Sequence, residues 1–348
     1  MKTSILVVAL ATVIAGCAGT DFTSPNIPIT KPIDTTPTVR APDPVTFDNY
    51  HFRVLTGASR DLQVHATNPS GVPLEWTSTN PSVATVINGV ITGKGFGVDT
   101  IKVTPQGGTA TAVQIFVADR TLSFGASALG CPTAAETLFV SAAIPSMNFS
   151  GDTPAISCTA TAGTIAMSRA KARTIRLVVA DAGSEFGTLL YAPNSTSHFE
   201  WMISEARMLG ISFRHLAGNA SGACCESGWT QALGGVIIID PADIGTVNSE
   251  AYDESRALAY LALLTHEIRH IIYGAHTCNG SVNVNDQNVA QQGPYGAEYE
   301  LRMAASKNPA FSSATQSAAA TVATNMLTNN FCDKPSLNVL QLQLPFER

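Results

Sequence analysis

The sequence predicts a multidomain chain, an all-β sandwich followed by an α+β domain, behind an N-terminal targeting segment and a tether. Three observations carry this reading. Residues 46–118 alternate apolar and polar positions in short runs broken by turn residues, the period of strands. Beyond about residue 170 strand-like runs are interleaved with stretches of helical spacing. Between them and the N-terminus, residues 18–44 are rich in Pro and Thr and hold almost no periodic apolar positions, the mark of an extended tether.

A chain of 348 residues is long enough for two ordinary domains. Only 13% of residues are charged, against roughly 25% in an average soluble protein, so Ser, Thr, Asn and Gln must carry the surface. A net charge of −6 without a basic cluster argues against a nucleic-acid partner. At the N-terminus, Lys2 precedes an apolar run from Ile5 to Ile14, too short to span a bilayer and suited to a signal-peptide core. The run ends in Ile14-Ala15-Gly16-Cys17, which resembles the bacterial lipobox. That resemblance implies a signal peptide over 1–16, a lipid anchor at Cys17 and a tether over 17–45. Ala18 in place of Asp implies the outer membrane, so the expected location is the bacterial cell envelope. An ordinary signal peptide with a chance cysteine is the alternative.

With Cys17 set aside, six of the seven cysteines remain: Cys131, Cys158, Cys224, Cys225, Cys278 and Cys332. An even number in an exported chain points to disulfides, whose pairing the sequence leaves open. Cys131–Cys158 is the guess for the start of the second domain. Adjacent Cys224 and Cys225 are expected to take different partners. No CxxC spacing supports a cysteine metal site.

In the sandwich, Leu62, Val64 and Ala66 alternate with polar residues, and Asn68-Pro69-Ser70-Gly71 then turns the chain. The string Leu74-Glu75-Trp76-Thr77-Ser78-Thr79-Asn80-Pro81-Ser82-Val83-Ala84-Thr85-Val86, followed by Gly89-Val90-Ile91-Thr92-Gly93, resembles the bacterial Ig-like group 2 repeat. The resemblance implies a spacer or adhesive module that meets an envelope or host ligand. His51 and His65 read as solvated strand residues.

Residues 119–348 form the second expected domain, of which 119–170 give no clear pattern. Thr174 to Val179 reads as a strand of β-branched and apolar residues. A helix is expected over 197–209, opened by a Ser197/Glu200 capping box and closed by Gly210, with Phe199, Met202, Ile203, Ala206 and Leu209 as its apolar stripe. Residues 211–213 and 236–239 read as strands, and a long helix runs over 255–273. His198 and His215 are expected at the surface.

The chemistry sits on that long helix, in His266-Glu267-Ile268-Arg269-His270. At 3.6 residues per turn the two histidines share a face and can reach one metal ion. Zinc accepts histidine nitrogens at about 2.0–2.1 Å and keeps a position for water, and Glu267, next to the first ligand, suits a general base acting on that zinc-activated water. Leu258, Leu261, Leu264, Ile268, Ile271 and Ile272 supply the apolar faces.

This HExxH motif, after a strand–helix–strand–strand succession, resembles the zincin metallopeptidases, in which the active-site helix lies beneath the edge strand of a twisted sheet. The spacing to His276 matches the metzincin pattern, which implies zinc ligands His266, His270 and His276 with Glu267 as base. Tyr273 stands where that pattern has glycine, and Gly274 follows one residue later. Glu298, on a helix expected after Gly293-Pro294, and Asp286 are the alternative third ligands, Glu298 also as a partner orienting a histidine. The stretch from the motif through His276-Thr277-Cys278 to Gly-Pro-Tyr-Gly-Ala-Glu is similar to uncharacterised bacterial HEARH-type proteins.

Tyr295 and Tyr299 are either oxyanion donors or packing residues, and Arg269 is either paired with a carboxylate or structural. Met303 and Met326 are candidate equivalents of the metzincin methionine turn. Cys278, two residues past His276, is placed to pin the ligand loop through a disulfide. The expected function is a zinc-dependent hydrolase, a cell-envelope metallopeptidase acting on a protein or peptide substrate. A non-enzymatic adhesion or binding lipoprotein with a degenerate or structural metal domain is the alternative.

Overall fold

The computed structural model describes residues 40–122, 124, 131–147, 156, 165–193, 197–215, 229–231, 236–239, 253–273, 276–278 and 285–333. Cys17 and the lipobox, Cys158, Cys224, Cys225 and Gly274 lie outside them, as does the tether up to residue 39.

Nine strands make the N-terminal domain. They are β1 (Thr46–Phe47), β2 (His51–Leu55), β3 (Ser59–Asp61), β4 (Ala66–Thr67), β5 (Leu74–Ser78), β6 (Ala84–Ile87), β7 (Val90–Gly93), β8 (Gly97–Pro105) and β9 (Thr111–Ala118). One sheet has the order β2-β9-β8-β5, the facing one β3-β7-β6, and β1 pairs with β4. In β8 the buried residues alternate, with Asp99, Ile101, Val103 and Pro105 inside. Asn88 and Gly89, both with positive φ, make the two-residue turn between β6 and β7 that right-handed strand twist favours.

The alternation of Leu62, Val64 and Ala66 is not a strand. Gln63–His65 is a 3-10 turn, started by Asp61 Oδ1 accepting from the Gln63 N–H at 2.8 Å. Leu62 is buried while Val64 stays 74% exposed. A local side-chain bond of this kind competes with ladder pairing, which apolar spacing alone does not reveal.

The second face of the β2–β9 pair decides how this domain behaves. Phe52, Val54, Val113, Ile115 and Val117 point into the sandwich core. Leu55, Phe116 and Ala118 join a different core, shared with Phe139, Val140, Phe199 and the helices. Phe116 meets Phe139 and Phe199 edge-on at 5.5 and 5.7 Å. A free spacer would turn that face to water. Here both faces are buried, and the described residues from Ala41 onward belong to one compact unit.

The remainder holds α1 (Ala134–Ala143), α2 (Ile165–Gly183), α3 (His198–Met208), β10 (Ser212–His215), β11 (Trp229–Gln231), β12 (Val236–Ile239), α4 (Glu254–Tyr273), α5 (Pro294–Lys307) and α6 (Ser313–Asn329). Strand β12 lies between β10, parallel to it, and β11, antiparallel to it. Among the described residues no helix is long and apolar enough to cross a membrane.

The strand expected over 174–179 is the second half of α2. Ile175, Leu177, Val178, Val179 and Ala180 are all essentially buried, so this helix has little polar face and its periodicity is hidden. A short apolar run cannot separate strand from buried helix. Helix α3 falls where the sequence placed it, with the Ser197 hydroxyl accepting from the Glu200 N–H at 3.2 Å. The Glu200 carboxylate does not close a capping box. It accepts instead from the Arg53 backbone N–H and from the Arg60 guanidinium, both from the sandwich.

Arg53 extends the joint. Its guanidinium donates to the carbonyls of Ala182 and, at 2.9 Å, Ser184, satisfying the open end of α2 and facing the negative pole of that helix. Arg207 of α3 does the same for α1 through the Ala142 carbonyl and, at 2.8 Å, the Ala143 carbonyl.

Candidate functional site

Helix α4 is apolar on most of its circumference, and Leu258, Leu261, Leu264 and Ile268 bury it in the large core. Thr265 faces the rear, where its hydroxyl lies 2.8 Å from His198 Nε2. His198 Nδ1 in turn lies 2.8 Å from Asp181 Oδ2. His198 is therefore no surface residue. It is 1% exposed and ties α2, α3 and α4 together behind the motif. The two histidines read as solvated are also partly covered. Burial, with a smaller contribution from Arg207, lowers His51 to a pKa of about 4, and His65 Nδ1 pairs with Asp48 at 2.9 Å.

On the opposite side of α4, His266 and His270 project one turn apart with their Nε2 atoms 3.1 Å from each other. His276 meets them with ring centroids at 5.3 and 4.6 Å. One coordinating nitrogen from each of the three lies within 4.8 Å of the others. Tetrahedral zinc bound at about 2.0–2.1 Å would set its ligand nitrogens about 3.3 Å apart, so the donor set fits the ion in kind and in scale. His270 is held to a pKa of about 3 by burial first and by its two histidine neighbours second, so it is neutral, as a ligand must be. Glu267 follows His266 and is 7% exposed.

The two carboxylates considered as third ligands stand behind the histidines. Glu298 Oε2 is 3.2 Å from His266 Nδ1, although that nitrogen has no well-aligned hydrogen-bond acceptor. Arg302, one turn along α5, donates to Glu298 Oε1 at 2.7 and 3.0 Å. Burial would raise the Glu298 pKa, but His266 and Arg302 outweigh it and the net shift is downward.

Asp286 is the more connected of the two and is fully buried. Its Oδ1 accepts from His276 Nδ1 at 3.1 Å and from the Thr277 N–H at 3.2 Å. Its Oδ2 accepts from the N–H groups of Tyr295 and Gly296, at 2.7 and 3.0 Å, at the start of α5. Burial opposes ionisation here too, yet these bonds hold the carboxyl below its usual range. An ionised carboxylate only accepts, so Asp286 takes an N–H from His276 Nδ1 and leaves Nε2 as the nitrogen that would meet a metal. Gly293 makes this possible, because a Cβ there would lie 2.6 Å from Asp286 Oδ2. Asp286→Asn turns an N–H group toward one of those donors. It is expected to weaken zinc binding by about 10- to 100-fold in a chelator competition, and unchanged affinity would remove Asp286 from this role.

The loop of His276 is fastened from the far side. Cys278 and Cys332 form a disulfide across a separation of 54 residues. Asp286 N–H donates to the Asn330 carbonyl at 3.0 Å, and the Cys332 N–H to the Asp286 carbonyl at 2.9 Å. Cys131 is also disulfide-bonded, while the Cys158 expected to pair with it lies outside the described residues.

Tyr295 stacks on His276 at 4.7 Å, 12° from parallel, and meets His266 edge-on at 4.5 Å. Burial, then Glu298, raises its pKa, so the hydroxyl stays protonated. Tyr299 packs with Ala323, Met326, Leu327 and Phe331. Met303 and Met326 lie within α5 and α6, so neither forms a turn under the histidines. Arg269 proves structural. Its Nε donates to the Gln292 carbonyl at 2.9 Å, holding the left-handed residue before α5.

Residues 41–116 match the family model for the bacterial Ig-like domain (group 2). This domain is followed by the helical region that carries the histidines. No curated protein matches the chain significantly.

Proposed function

We propose that residues 119–348 are a zincin-like, zinc-dependent hydrolase, a metallopeptidase held in the cell envelope through Cys17 and acting on protein or peptide substrates. The observation that carries this reading is the convergence of His266, His270 and His276, one nitrogen each within 4.8 Å, with Glu267 beside the first. His266, His270 and His276 would hold the metal. Zinc bound there would supply Lewis acidity and lower the pKa of a water toward about 7. Glu267 would take up the proton released during attack and deliver it to the leaving amine. Tyr295, its hydroxyl kept protonated, would donate to the oxygen of the carbonyl under attack. Asp286 would orient the ring of His276 through its hydrogen bond, and Glu298 places a carboxylate 3.2 Å from His266 Nδ1. Helix α4 packs against β11, an edge strand antiparallel to β12, which is the relation the zincin resemblance implies.

A structural zinc site would not need the Glu267 carboxylate, which favours hydrolysis over the reading as an adhesion lipoprotein. Metal analysis of the purified full chain tests the proposal. About one zinc per chain is expected, together with peptide hydrolysis that stops on chelation and returns with zinc. A chain that purifies without zinc and does not take it up would overturn the reading.

A further inference from the structure

Helix α4 is buried or half-buried at every residue from Ala257 to Ile272, and then ends on Tyr273, which is 48% exposed. Helix geometry gives the side on which this ring lies. At about 100° per residue, His270 lies about 40° round the helix from His266, and Tyr273 about 20° round in the other direction. The three residues therefore share one face of α4. Glu267 lies about 100° round, beyond His270, so the histidines stand between the base and the tyrosine. Along the axis Tyr273 is only about 4.5 Å past His270.

The ring is also held. Side chains on a helix lean back over the preceding turn, and the Arg269 guanidinium lies 4.4 Å over the Tyr273 ring. Arg269 is itself fixed, 5% exposed with its Nε donating to the Gln292 carbonyl at 2.9 Å. A backed ring offers a large contact area at little cost in ordering, which is how tyrosine serves recognition surfaces. Aromatic faces and edges pair best with another aromatic ring.

We propose that Tyr273 is a specificity-determining residue, a platform beside the histidines for an aromatic side chain of the peptide substrate. The inference rests on the hydrolase reading above and adds a substrate class to it. An extended peptide advances about 3.3 Å per residue, so the ring reaches a side chain within about three residues of the cleaved bond.

The test uses the full zinc-loaded chain and a quenched fluorescent octapeptide of alanine and glycine. A single phenylalanine is moved through its six central positions. At one position phenylalanine is expected to raise kcat/KM at least about threefold over the parent peptide, the scale of an aromatic pair. Tyr273→Ala should erase that preference with zinc content unchanged, and Tyr273→Phe should keep it. Calorimetric titration of the Glu267→Gln chain reads binding without hydrolysis. There the preferred peptide should bind at least about threefold more tightly than its parent, and Tyr273→Ala should remove the difference. Cleavage without a preference for phenylalanine, or a preference that survives Tyr273→Ala, would overturn the proposal and leave the hydrolase reading standing. Zinc lost in Tyr273→Ala would overturn it as well, since the ring would then serve the metal site. A zinc-loaded chain that neither cleaves nor binds any of the peptides would overturn both.

Discussion

Replacing Glu267 with glutamine is expected to leave zinc bound while lowering peptide hydrolysis by about 10²- to 10⁴-fold, the range contributed by a positioned general base. The amide fills the space of the carboxylate but cannot accept a proton at neutral pH. Zinc should remain because the three convergent nitrogens belong to His266, His270 and His276. Nor does the substitution touch Asp286 or Glu298, which stand behind His276 and His266. Single-turnover hydrolysis and zinc content, measured on one preparation, separate the two effects. Activity retained in this variant would remove Glu267 from the chemistry, and zinc lost with it would mean that the carboxylate serves the metal site itself.

The second large effect concerns stability. Glu200 is completely buried and accepts from both Arg53 N–H and Arg60. Glu200→Ala would leave the Arg60 guanidinium, 13% exposed, without its buried counter-charge. Breaking one partner of a buried pair costs about 3–5 kcal/mol, more than the pair itself contributes relative to apolar residues. Urea unfolding of the full chain should therefore shift to a lower midpoint by that amount. It should remain a single transition, because Leu55, Phe116 and Ala118 of the sandwich lie in the same core as Phe139 and Phe199. A loss below about 1 kcal/mol would mean that the pair is well replaced by water. A wild-type curve with two separated transitions would mean that the domains are energetically independent.

What the sequence disclosed follows from how local each signal is. The spacing of His266 and His270 places them on one face by helix geometry alone, and the sandwich was legible from its period of two and its turn residues. The expected helix over 197–209 was legible because Ser197 and Gly210 punctuate it; Gly210 has φ +62. The misplaced strand over 174–179 and the misplaced surface His198 share one cause. Both lie where burial is complete on every side, so polarity carries no record of direction. The roles of Asp286 and Glu298 were out of reach for another reason. Either carboxylate could meet a metal or a histidine as far as the sequence goes, and the contact of Asp286 with the start of α5 depends on Gly293, where a Cβ would collide with it. The partner of Glu200 was equally hidden, because Arg53 and Arg60 lie 147 and 140 residues away in sequence.

The Cys278–Cys332 disulfide gains a further meaning from its position. It fastens the segment that presents His276 to the end of α6, through a closed loop of 54 residues. Closing a loop of that length removes chain entropy worth about 4 kcal/mol from the unfolded ensemble. The same segment would be drawn tight by a metal ion on His276, so oxidation and metal loading would act on one equilibrium. Linkage is reciprocal. Whatever factor the sulfur bond adds to the hold on the ion, the ion returns undiminished as resistance of that bond to reduction.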